Sequence, residues 1–142
     1  MTLSQYVEKR NGVPMGAPYS LRNMLQRSLG AGSFARFWHY WNPIWGYYLA
    51  RYVLKPSRQF LPAPLAVVFT FFISGLLHDI AVSLVKWQLI FVFSTWFTLL
   101  GIIVVISQHF AVNYDRFPWL GRAAINVAIL AMSWLFSKCV LM

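Results

Sequence analysis

Acidic side chains are what this chain most lacks: Glu8, Asp79 and Asp115 stand against twelve lysines and arginines, a formal net charge of +9. Charged residues of either sign make up 11% of the sequence, where soluble domains carry about 25%. An ordinary water-soluble globule is thereby excluded. The single cysteine, Cys139, excludes an internal disulfide and any cysteine-based metal cluster, and it is expected to be a small apolar packing residue. The three histidines and three acids show no ligand spacing, so no metal site is expected. The first thirty residues hold no apolar core segment, so no cleavable signal peptide is expected and targeting falls to the first spanning helix.

What the chain has is apolar surface: 59% hydrophobic residues and 18% aromatics. Three runs, 64–85, 87–108 and 122–142, are each long enough to cross a hydrocarbon core of about 30 Å. The expected fold is an all-α membrane protein. Its three transmembrane helices follow an interfacial or re-entrant aromatic helical segment at 34–53, dense in Trp and Tyr and broken at Pro43. Residues 1–33 read as an N-terminal tail with one short helix, Ser20–Leu29, N-capped by Ser20 and ended by Gly30, and 34–142 as the membrane domain. The glycines and prolines within 1–18 suggest a loose or partner-ordered tail.

The basic residues are not spread evenly. Eight of the twelve precede Leu61, and Arg116 and Arg122 flank the 110–121 connection, whereas only Lys86 sits in the tight connection after the first span. Under the positive-inside rule the N-terminus and the 110–121 loop are cytoplasmic and the C-terminus is outside, with Lys138 snorkelling. A bacterial inner membrane is the expected location. This distribution points away from nucleic acid and towards membrane lipids as partners.

Within 64–85, only His78 and Asp79 are neither apolar, small nor hydroxylic. Ionisable groups at such depth cost roughly 2.5–3.5 kcal/mol each on insertion scales and mark functional positions by default. On a helix His78 shares a face with Ser74 and Phe71, and Gly75 lets a neighbour approach. Asp79 lies about 100° around the helix, where it is expected to line up with Ser83 and with a Lys86 reaching back. Two readings of His78 stay open, an interhelical hydrogen bond and a catalytic or substrate-contacting role. His39 is expected to be interfacial and solvated, His109 a helix-end residue, and Tyr114-Asp115-Arg116 a loop.

Phe37-Trp38-His39-Tyr40-Trp41-Asn42-Pro43, followed about three dozen residues on by Ser74-Gly75-Leu76-Leu77-His78, resembles the membrane-bound O-acyltransferase family. Phe37, Trp38 and Trp41 match the aromatic frame of its motif, Asn42 the second polar position, and His78 the catalytic histidine. The resemblance covers about residues 36–85. It implies transfer of an acyl group from a thioester to a hydroxyl, with His78 as the base and Asn42 holding the thioester carbonyl or orienting the acceptor. Trp38, Trp41 and Ser74 would then contact substrate. No cofactor is expected, and acyl-CoA is the possible co-substrate. Arg51, Lys55 and Arg58, spaced i, i+4 and i+7 as one helical face, would meet its phosphates or anchor to lipid headgroups.

Members of that family have eight or more spanning helices around a tunnel. Three spans therefore suggest a homo-oligomer or a hetero-complex with another membrane protein, which would also cover Ser74, Gly75, His78 and Asn126. His78 and Asn42 are expected to face one cavity. The alternative function is a non-catalytic subunit of a multi-subunit membrane assembly, derived from the same family.

Overall fold

The computed structural model describes all residues, Met1–Met142, and its regular structure is helical throughout. The chain forms two compact units: Met1–Tyr48 with Ser107–Ala128, and Leu49–Ile106 with Ile129–Met142.

The first unit opens with α1, Leu3–Asn11, in the stretch expected to be loose. Thr2 and Gln5 form a reciprocal capping box at its start, and Gly12 at φ 81° ends it, so the glycines and prolines of this region follow the helix instead of disrupting it. Helix α2, Ser20–Leu29, has the expected bounds, but Ser20 is its first helical residue and not its cap. Tyr19 takes the N-cap position in the left-handed region, at φ 68°. Helix α3, Phe34–Tyr40, is capped by Ser33, whose hydroxyl accepts from the Arg36 N–H at 3.2 Å. After a break at Trp41 and Asn42, α4 runs from Pro43 to Leu49. Proline suits a first helical position, where its missing N–H has no intrahelical partner to lose. Val7, Ala31, Phe34 and Phe37 form the apolar core of this unit.

In the second unit the helix widens to a π-helical stretch, Ala50–Leu54, followed by the short α5, Lys55–Ser57. Arg58 lies just beyond that helix, and the wider turn at Arg51 alters the register. Arg51, Lys55 and Arg58 therefore do not form the regular α-helical face expected of their spacing, although all three are exposed. Three long helices follow: α6 (Ala63–Lys86), α7 (Val92–His109) and α8 (Trp119–Leu141), whose first ten residues belong to the first unit. Each is long and apolar enough to cross a membrane. The shortest, α7, has 18 residues, about 27 Å at 1.5 Å per residue. This is an integral membrane protein.

Two of its spans begin elsewhere than expected. Helix α7 starts at Val92 and not at Trp87, because Trp87 turns the chain at φ 53° and the Ile90 N–H is held by the Ser83 hydroxyl at 3.0 Å. Helix α8 starts at Trp119, directly behind Pro118. Hydroxyls inside the spans bond back to their own helix: Thr70 donates to the Ala66 carbonyl, Thr98 to Ser94 and Ser137 to Ser133. The outward faces carry Leu77, Ile80, Leu84, Ile102, Met132 and Phe136, all exposed. An apolar surface of that extent suits hydrocarbon as solvent. Cys139 projects from α8 on this surface instead of packing inside.

Candidate functional site around His78

Helix α6 meets α7 through two glycines. A Cβ at Gly75 would come within 2.5 Å of the Phe93 carbonyl oxygen and 2.8 Å of Ser94 Cα. One at Gly101 would come within 2.9 Å of Phe71 Cβ and 3.2 Å of Val68 Cα. Without side chains there, the two backbones approach closely, as small residues permit in membranes. One turn after Gly75, this closeness brings Asp79 to the start of α7. Its two carboxyl oxygens accept from the N–H groups of Phe93 and Ser94, each at 2.8 Å.

Asp79 thus caps α7 from the neighbouring helix, and at 2% exposure it is sealed there. The expected Asp79–Lys86 stripe is replaced by this contact. The first N–H groups of a helix lack intrahelical partners, and in hydrocarbon each unsatisfied group costs several kcal/mol. The sequence held a signal for this arrangement. Gln88-Leu89-Ile90-Phe91, just before α7, contains no Ser, Thr, Asp or Asn to cap it, so the acceptor had to come from elsewhere.

His78, the next residue on α6, lies against the same end of α7. Its ring centroid is 5.0 Å from that of Phe97 and 5.8 Å from that of Phe93. Its Nδ1 is 2.6 Å from the Ser74 carbonyl oxygen, one turn back. A carbonyl only accepts, so Nδ1 carries the proton and Nε2 is the basic nitrogen of the neutral ring. Further along, Phe93 and Trp96 pack on Trp134 of α8 at 5.7 and 4.8 Å between centroids, and Trp96 Nε1 donates to the Ser133 hydroxyl at 2.9 Å. Ser74 and Gly75 are buried within the chain, and so is Asn126 in the other unit. None of these three needs a second copy to cover it.

The aromatic motif belongs to the first unit. Phe37 stacks on Phe34 and Trp41, with centroids at 5.8 and 5.5 Å, and meets Trp38 edge-on at 5.0 Å. Phe37 is the buried centre, while Trp41 remains 36% exposed. Asn42 sits at φ 41°, in the left-handed region that asparagine tolerates better than most residues, and its Oδ1 accepts from the Trp45 N–H at 3.3 Å. It is the cap of α4. His39 is exposed, as expected, and is also held by Arg10: Nη1 lies 2.5 Å from its Nδ1 and donates to its carbonyl at 3.2 Å. Partial burial pushes the His39 pKa below its ordinary value, and the neighbouring charges of Arg10, Arg36 and Lys9 push it the same way.

Among the expected site residues, Ser74 and His78 fall in the same unit as Arg51, Lys55 and Arg58, with Ser74 the one of these that His78 contacts. Trp38, Trp41 and Asn42 are brought together in the other. No protein-family model, curated protein or solved structure matches this chain.

Proposed function

We propose that this protein is a membrane acyltransferase module of the membrane-bound O-acyltransferase type, moving an acyl group from a thioester such as acyl-CoA to a hydroxyl acceptor. The observation that carries the reading is the Nδ1–H donation from His78 to the Ser74 carbonyl at 2.6 Å. It selects the tautomer whose Nε2 can take a proton from an acceptor hydroxyl. Phe93 and Phe97 beside the ring supply an apolar surround of the kind that strengthens local electrostatics. The acceptor oxygen attacks the thioester carbonyl as its proton passes to Nε2, the C–S bond then breaks, and the departing thiolate takes that proton back from Nε2. In this reading the basic N-terminal region lies on the cytoplasmic face of a bacterial inner membrane.

The non-catalytic alternative, a subunit of a larger membrane assembly with lipids or a further copy as partner, is favoured by the structural duties of two of the polar residues. Asn42 caps α4 and Asp79 caps α7. The test is turnover of labelled acyl-CoA by the full chain in detergent, with lipid alcohols supplied as acceptors. Wild type should transfer label, and His78→Ala should reduce the rate by about 10²–10⁴-fold, the usual contribution of a general base. Transfer that survives His78→Ala, or no transfer by wild type with any donor chain length, would overturn the enzyme reading.

A further inference from the structure

The first unit carries an open cavity of about 610 Å³ whose wall gathers three arginines, Arg27 of α2, Arg36 of α3 and Arg122 of α8, against one carboxylate, Asp115. Like charges repel, so three guanidiniums around one space require either structural anchors or an anion. Two of them have anchors. Arg122 donates from Nε to the Gly30 carbonyl at 2.7 Å and from Nη1 to the Phe117 carbonyl at 2.8 Å, and Arg27 donates from Nη1 to the Arg10 carbonyl at 3.1 Å. These bonds to neutral carbonyls fix where the guanidiniums stand and leave their charge uncompensated. The one ion pair, Arg36 with Asp115, is loose at 3.6 Å, and both side chains are more than half exposed. The cavity wall keeps a surplus of positive charge.

We infer that this cavity is a binding site for a phosphate group, engaged by Arg27, Arg36 and Arg122. Guanidinium forks match phosphate oxygens with paired N–H donors, which ammonium groups do not. The amide of Asn23 and the hydroxyl of Tyr40, also in the wall, add neutral hydrogen-bonding groups. The level of the site fits as well. Arg122 lies in the first turn of the membrane-spanning α8, where the hydrocarbon gives way to headgroups. A phosphate at that depth belongs either to a phospholipid or to a soluble phosphate ester arriving at the membrane surface, and the same three arginines would hold it. This inference is independent of acyl transfer and of His78.

The experiment titrates the full-length protein in neutral detergent with two probes: inorganic pyrophosphate, and phosphatidylglycerol doped into the micelles against a phosphatidylcholine control. Trp119, also in the cavity wall, provides a fluorescence signal, and calorimetry provides a second readout. Saturable binding of pyrophosphate assigns a soluble ester, binding of phosphatidylglycerol alone assigns a lipid, and either supports the site. Arg36→Gln should weaken binding about tenfold, as loss of a charged hydrogen-bond donor does. Asp115→Asn should tighten it several-fold by removing the only carboxylate in the wall. Both positions are exposed, so neither change empties the core. Lys138→Gln, at the far end of α8, removes the same charge and should change nothing. Failure of both probes to bind would overturn the site. So would binding that Arg36→Gln leaves intact and Asp115→Asn fails to tighten. His78→Ala should leave phosphate binding unaltered, which separates failure of this site from failure of the acyltransferase reading.

Discussion

His39 shows how much a single contact alters the meaning of a residue type. It is exposed, as the sequence suggests, yet in the fold it also receives Arg10 Nη1 at Nδ1, and its pKa is lowered by partial burial first and by Arg10, Arg36 and Lys9 after that. Because its folded pKa lies below 6.5, the unfolded chain binds this proton first on acidification. The stability linked to the contact is therefore whole above about pH 6.5 and is lost as the pH falls from there through the folded pKa. NMR titration of the ring should give a midpoint below 6.5, and Arg10→Gln should move it upward. A wild-type midpoint at or above 6.5 would show that the Arg10 contact does not form. Tyr114 carries the same lesson. A loop residue in sequence, it is 6% exposed, its hydroxyl donates to Asn126 Oδ1, and burial pushes its pKa up to about 12. Asn126 completes the network by donating to the carbonyls of Leu29 at 2.8 Å and Ala31 at 3.0 Å. A polar residue that sequence reasoning assigned to an intersubunit surface is satisfied inside its own chain.

Among the elements, the pairing of α6 with α7 depends on the sequence of two decisions, close approach at Gly75 and capping by Asp79. Ala at Gly75 would press its methyl against the Phe93 carbonyl, and overpacking of this kind costs about 1–3 kcal/mol. Asp79→Ala removes both acceptors and should cost about 1–3 kcal/mol for each N–H left buried, whereas Asp79→Asn retains one acceptor oxygen and should fall between. Thermal unfolding of the three proteins in detergent checks the order: wild type above Asn, and Asn above Ala. Equal melting temperatures for all three would remove the cap from the account of this helix pair. The length of the helices was legible from their apolar runs, because hydropathy over about 20 residues is a local property. Where α7 begins was not, because its cap comes from a residue fourteen positions upstream on another helix.

Across the whole molecule, the weight of basic residues before Leu61 leads to a prediction under the positive-inside rule: three spans should leave the N-terminus in the cytoplasm and the C-terminus outside. Labelling should start from a Cys139→Ser background, since the native thiol is exposed. Leu21→Cys, 66% exposed on α2, is a suitable inner reporter, whereas Ser28 is fully buried and would not react on either side. A membrane-impermeant maleimide applied to intact cells should label Met142→Cys and spare Leu21→Cys. The reverse pattern would invert the topology and place the arginine-lined cavity on the outer face.

Composition and hydropathy alone establish a helical membrane protein with three spans, preceded by an aromatic segment broken near Pro43. The sequence also singled out His78, since both hydropathy and the isolation of an ionisable residue can be read along the chain. It could not say which polar residues serve the fold. Asn42 looked like a site, Asp79 like the partner of Lys86, and Asn126 like a surface; tertiary structure made them a cap, a cap supplied from a neighbouring helix, and the centre of a buried network. Nor could it gather Arg27, Arg36 and Arg122, which lie as much as 95 residues apart, in the wall of one cavity. The physical reason is common to all four cases. A polar group's role is set by the partner that satisfies it, and that partner is chosen by packing in space, not by spacing along the chain.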